Sequence, residues 1–240
     1  MFPYDSALLP AVQSTPVSIA DVLTILRTID GTCADGDGLK WFNWLYLQVT
    51  EAVEARIVAG GFSAPAWLAA LDVQFARLYF NALAASLLGQ PVPDCWQALF
   101  ERRNQAQIAR IQFAFAGINA HINHDLAEAI VATCTATGSV PAHSGVLYTD
   151  YTALNSTLDS LIDQAKHTLD VRLLGDALPP AAQLENTLAA WSVSAARESA
   201  WRNAEILWHL RASPDLSSAF MNSLDGLSSV AGNVLLVPVP

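Results

Sequence analysis

Lysine is nearly missing from this chain. Of its 12 basic residues only Lys40 and Lys166 are lysines, against 22 acidic residues and a formal net charge of -10. No basic stripe can be drawn, which excludes nucleic acid and anionic membrane surfaces as partners. Cysteine is also scarce: Cys33, Cys95 and Cys134 are odd in number and widely spaced, which suits reduced thiols and excludes a disulfide framework. Long apolar runs are lacking, because polar residues interrupt every helical segment, so no membrane span is expected. The opening MFPYDSALLPAVQST has neither a cationic region nor an unbroken apolar core, and the expectation is a cytoplasmic protein. Strand-like alternation is nearly absent. So are G-x-S-x-G, G-x-x-x-x-G-K-[ST] and G-x-G-x-x-G, which removes the common serine-hydrolase, ATP and dinucleotide signatures.

What is present is apolar helix. Of 240 residues, 52% are hydrophobic and 14% charged, enough to bury a large core, and apolar positions recur at helical spacing. The spacing predicts an all-α single-domain bundle of about seven or eight helices around a buried central helix. Residues 1–17 are expected to be an extended segment, 18–236 one helical domain and 237–240 a tail. Ser18 caps a first helix to about Ile29, and Asp37 caps a second from Gly38 to Ala59. Ser63 with Pro65 starts a third, ending near Leu88, and Asp94 caps a helix carrying Cys95 to Asn104. The central helix is expected from Ala106 to Thr135, stopping at Gly138. Asp150 caps the next, to Leu174. After Pro179 and Pro180 a long helix covers Ala181 to Arg211, and Ser213-Pro214 opens the last.

The stretch FAFAGINAHINHDL, Phe113 to Leu126, places the most polar run inside the most apolar helix. At 100° per residue, Ile111, Phe115, Ile118, Ile122 and Leu126 form one stripe, and small or aromatic residues fill much of the rest, so the helix is buried. His121 and Asp125 share a face with Gly117, whose missing side chain would leave room for a ligand. Asn119 and Asn123 share another. Each buried polar group left without a partner would cost ~1–3 kcal/mol, so something must face each pair.

Two chemistries fit His121 and Asp125: chelation of one divalent metal (zinc, iron or manganese), or an acid/base pair in which the carboxylate fixes the imidazole tautomer. Asn119 and Asn123 would be positioning groups. A metal needs a third ligand, for which Asp72, Glu51, Glu54, His143, Glu198 and His209 are candidates. Asp72, between Leu71 and Val73, is equally readable as a partner of Arg197. Arg197 and Trp201 could build an anion or aromatic pocket; Tyr46 follows a helical stripe with Asn43 and Thr50 beside Trp41, Phe42 and Trp44, and Tyr79 lies with Phe75 on the turn after Asp72.

DGLKWFNWLYLQVTEAV, LDVQFARLYFNAL, GINAHINHDLAEAI, DYTALNSTL and AARESAWRNAEILW together resemble a bacterial family known as a domain of unknown function. The resemblance spans about residues 18 to 236, and its most specific part is N-A-H-I-N-x-D-L, Asn119 to Leu126. It implies one helical domain with a shared polar centre. More distantly, G-x-x-x-H-x-x-x-D at Gly117, His121 and Asp125 is similar to one helix of zinc-dependent phospholipase C. There the pair would be zinc ligands cleaving phosphodiesters. The N-terminal tryptophan ligand and the second H-x-x-x-E helix of that class are missing here, so the resemblance implies at most one metal.

The reading that follows is an enzyme with an apolar, aromatic-lined pocket. His121, Asp125, Asn119 and Asn123 would act on a small or lipid-like hydrophobic molecule, with Asp72, Tyr79, Arg197, Trp201 and Tyr46 binding it. The alternative is a non-enzymatic binding or structural protein whose polar cluster is a satisfied core network. The apolar excess and the VLLVPVP tail point to a homodimer.

Overall fold

The computed structural model describes residues 2–169 and 191–238. Among them there are helices and no strands: α1 (Asp5–Val12), α2 (Ile19–Thr32), α3 (Gly38–Ala59), α4 (Pro65–Leu87), α5 (Asp94–Arg102) and α6 (Arg110–Ala120). A π-helical turn (His121–Asp125) follows, then α7 (Leu126–Thr137), α8 (Val146–Ala153), α9 (Asn155–Thr168), α10 (Val193–Leu210) and α11 (Pro214–Leu235). α6, the π turn and α7 form the expected central rod. α3, α5 and α11 pack on its α6 half, and α4 and α10 on its α7 half. No described helix is long and apolar enough to cross a membrane.

Local chemistry sets several boundaries where the sequence places them. Ser18 and Asp21 form a reciprocal capping box at the start of α2. Asp37 accepts from the Leu39 amide at 2.9 Å to open α3. Asp37 does more than cap. Fully buried, it also takes the Arg103 guanidinium through Nε at 2.8 Å and the Tyr4 hydroxyl at 3.0 Å. Asp5 lies 3.0 Å from the same guanidinium. The DGDG loop is thus a buried ion-pair hub tying α1, α3 and the end of α5 together.

Other boundaries are set from far away. Ser63 makes no side-chain cap; instead Asp150, inside α8, accepts from the Ala64 amide at 2.6 Å and caps α4. Asp94 is likewise not the cap of α5. The Asp225 carboxylate on α11 receives the Asp94 amide at 2.9 Å and the Cys95 amide at 2.8 Å. Asp150 therefore starts no helix of its own: α8 starts at Val146 after Gly145, and a new helix follows at Asn155.

The N-terminal segment departs from extended chain, because Leu8 and Val12 are buried and fold Asp5–Val12 into a helix packed on α2 and α4. The central helix starts at Arg110, where the Gln112 side chain accepts from the Ala109 amide at 2.8 Å. Its amide group also donates to the Leu235 and Val237 carbonyls at 2.7 Å each, which docks the tail on the rod. The expected ends at Leu174 and Ala181 and the Pro179-Pro180 break lie outside the described residues.

Candidate functional site

The rod is not one α-helix. At His121–Asp125 the Leu126 amide bonds to the His121 carbonyl, five residues back, which is π-helical pairing. A single inserted residue widens the turn, and such bulges concentrate at functional positions. Here the wider turn lets residues one and four positions before Asp125 reach its carboxylate together. His121 Nδ1 lies 2.9 Å from Asp125 Oδ2, and His124 Nδ1 lies 2.7 Å from Asp125 Oδ1. Trp96 Nε1, which can only donate, reaches Oδ2 at 3.1 Å. Burial pushes the Asp125 pKa up, but the hydrogen bonds and charges of the two histidines outweigh it and hold it below its ordinary value. An ionised carboxylate is acceptor only, so both imidazoles donate through Nδ1–H.

That fixes His121 with its Nε2 lone pair free. The nitrogen is buried and has no hydrogen-bond partner among the described residues. Burial depresses the His121 pKa against the pull of Asp125, so the ring is neutral at ordinary pH. Phe75 stacks on it at 3.4 Å between centroids and 5° between planes. Tyr46, Phe42 and Trp96 pack around it at 4.7, 5.8 and 5.9 Å.

His121 lines an apolar cavity of about 60 Å³ with Tyr46, Phe75, Ile118 and Ile122 on one side and Leu158, Ile162 and Val193 on the other. Arg197 closes one end. Its Nε donates to Asn155 Oδ1 and its terminal nitrogen to the Tyr151 carbonyl, both at 2.8 Å, and its guanidinium lies 3.8 Å over the Tyr151 ring. It pairs with no carboxylate among the described residues, and burial lowers its pKa.

Several expectations are corrected. Asp72 is not Arg197's partner: its Oδ2 is buried without a hydrogen bond, and burial, with the charge of Glu54, pushes its pKa up to about 7. The Tyr46 hydroxyl is also buried and unpartnered, and its pKa is pushed well above 10.0 by burial and then by the charge of Asp72. Gly117 leaves no room for a ligand, because the space is filled by Phe42; a Cβ there would fall 2.2–2.7 Å from that side chain. Asn119 donates to the Ser228 carbonyl at 2.7 Å and Asn123 to Asn119 at 3.0 Å. Asn119 thus ties α11 to the rod, Asn123 holds Asn119 in place, and neither lines the cavity.

Tyr79 packs its ring near His121, but burial and then Cys33, Arg103 and Asp37 perturb its hydroxyl, which places that oxygen at the DGDG end. Trp201 is fully buried between Trp67, Tyr148 and Tyr151, away from the cavity. Among the proposed third ligands, His143 binds Glu198 at 3.0 Å and Glu205 at 2.7 Å near the surface. The three ligand-type groups that do converge were not expected. Cys95, His124 and Asp225 each offer an atom within 4.8 Å of the others. Trp96 was also missed: nothing local in DCWQALF marks its indole as a donor to a carboxylate 29 residues on.

The fold and this centre define an all-helical domain whose central rod carries a buried histidine–aspartate pair on a π turn. The chain belongs to the family of unknown function DUF5995, whose model matches residues 19–238. That is the kind of family the N-A-H-I-N-x-D-L segment indicates. No curated protein and no solved structure matches the chain.

Proposed function

We propose that this is an enzyme in which His121 acts as general acid/base on a small hydrophobic substrate and Asp125 holds its tautomer. One observation carries the reading: a buried imidazole with Nδ1–H held by Asp125 and Nε2 unpartnered, on a residue that lines an apolar cavity. An ordinary core would pair that nitrogen. Tyr46 and Arg197 line the same cavity and bring a phenol and a cation to its wall, so the substrate would carry a carbonyl or carboxylate oxygen on an apolar body.

The cavity is small. Apolar cavities near ~150 Å³ take benzene, so a substrate beyond a few heavy atoms must push back Leu158, Ile162 and Val193. In the competing reading the cluster is a structural network, which the complete pairing of Asp125 favours. A panel of short apolar esters and carbonyl compounds separates the two. Under the catalytic reading the wild type turns over a member of the panel, and His121→Ala loses about 10²–10⁴-fold while still unfolding cooperatively. Equal rates in both proteins, or a variant that fails to fold, would favour the structural network.

Free, buried Cys33, Cys95 and Cys134 fit a reducing compartment such as the cytoplasm. α11 exposes Leu227, Val230 and Val234 along one stripe, at 71%, 67% and 58%, which we read as the face of a homodimer. Light scattering should then give twice the 25.7 kDa chain mass, and Leu227→Asp with Val230→Asp should return the monomer. A wild type that elutes as monomer would refute the dimer.

A further inference from the structure

Cys95, His124 and Asp225 come from three separate elements, the first turn of α5, the π turn and the middle of α11. Each offers one ligand atom, and no two of those atoms are more than 4.8 Å apart. We propose that these three side chains bind one divalent ion of the zinc class, independently of the chemistry assigned to His121.

The donor set is one thiol, one imidazole and one carboxylate, the combination that soft-tolerant zinc accepts and that magnesium and calcium do not. An ion in the plane of three atoms at that limit would sit about 2.8 Å from each, so a closure of roughly 0.5–0.8 Å per ligand reaches Zn–S and Zn–N lengths of ~2.0–2.3 Å. The orientation of the ligands is already fixed. Asp125 takes the Nδ1–H of His124 at 2.7 Å and leaves Nε2 for the ion, the carboxylate–histidine–metal arrangement of zinc sites.

Asp225 is held in turn by the Asp94 and Cys95 amides. A cysteine–histidine catalytic pair is the poorer reading, because no hydrogen bond joins the Cys95 thiol to His124, whose Nδ1 is taken by Asp125. On binding, the Cys95 thiol proton and any proton on His124 Nε2 leave to solvent as Sγ and Nε2 bond the ion, whose two positive charges offset the thiolate and the two aspartates at the cluster's edge. His124 also lines an open groove of about 550 Å³ with Glu128, Leu207 and Met221, so solvent can complete four ligands.

Cobalt reports the site directly. Metal-free full-length protein titrated with Co²⁺ should develop tetrahedral visible bands and a near-ultraviolet thiolate-to-cobalt band, saturating at one equivalent and displaced by Zn²⁺. Cys95→Ser should abolish the thiolate band, and His124→Ala and Asp225→Asn should weaken binding at least tenfold. His143→Ala, a histidine outside the cluster, should bind like the wild type. The wild-type titration decides the matter even if a variant fails to fold: no cobalt bands, or bands without the thiolate component, would overturn the site. Loss of His121 activity with cobalt binding intact would separate this site from the catalytic one.

Discussion

Replacing Asp125 by alanine should cost roughly 3–5 kcal/mol of stability, the scale for removing one partner of a buried ionic pair. The carboxylate is 2% exposed and receives Trp96 Nε1, His121 Nδ1 and His124 Nδ1. Truncation takes the common acceptor from Trp96 Nε1 and the two imidazoles, at ~1–3 kcal/mol for each group left unsatisfied before relaxation. Since small domains are stable by only ~5–15 kcal/mol, the midpoint of urea unfolding should drop steeply. His121→Ala should cost less, because Asp125 keeps two of its three donors and only the Nδ1–H bond and the packing of the ring are lost. The contrast between the two variants is the informative quantity. Equal losses would mean that His121, too, is held structurally, and a loss under about 1 kcal/mol for Asp125→Ala would show that the three-donor network does not exist.

Asp72→Asn should work in the opposite direction and stabilise the protein. The native carboxyl ionises at about 7 against an ordinary 3.8, because burial and then Glu54 oppose its charge. Below about pH 3.8 the group is neutral in folded and unfolded chains alike and costs nothing. Between 3.8 and 7 the unfolded chain ionises first, so stability falls as pH rises, by ~1.4 kcal/mol per pH unit. Above 7 the full penalty stands. Asparagine has nearly the same shape and no charge, so the variant should gain roughly 2–4 kcal/mol at pH 8.5 and nothing near pH 3.5. Urea unfolding of both proteins at the two pH values measures this as a difference. A gain that does not change with pH would place Asp72 in a polar, solvated setting.

Helix identity was legible because it depends on local signals. Apolar spacing, the Ser18–Asp21 box, Asp37 and Pro65 each act within a few residues of the boundary they set. The caps of α4 and α5 were not legible, since Asp150 and Asp225 lie 86 and 131 residues from the amides they bind. The site divides in the same way. The His121–Asp125 pair follows from i, i+4 spacing and survives the π turn. The contribution of His124 does not follow from it, because a regular α-helix points adjacent residues apart, and only the i→i+5 turn brings both histidines to one carboxylate. Gly117 misled for a related reason: an absent Cβ marks a close approach, and only the fold shows that Phe42 makes it.

The capping of α5 by Asp225 has a consequence for how the molecule is made. The first two amides of α5 wait for an acceptor that lies 130 and 131 residues later in the chain. During synthesis the segment from Asp94 onward emerges long before α11, so α5 must frays at its start, and the Cys95 side chain stays uncovered, until the last helix arrives. Contacts of such separation slow folding and leave surfaces open to wrong partners. Docking of α11 then closes several things together: it caps α5, takes the Asn119 amide and seats the tail on Gln112. The last helix is therefore the latch of the fold, and the polar centre forms only when the chain is complete through it.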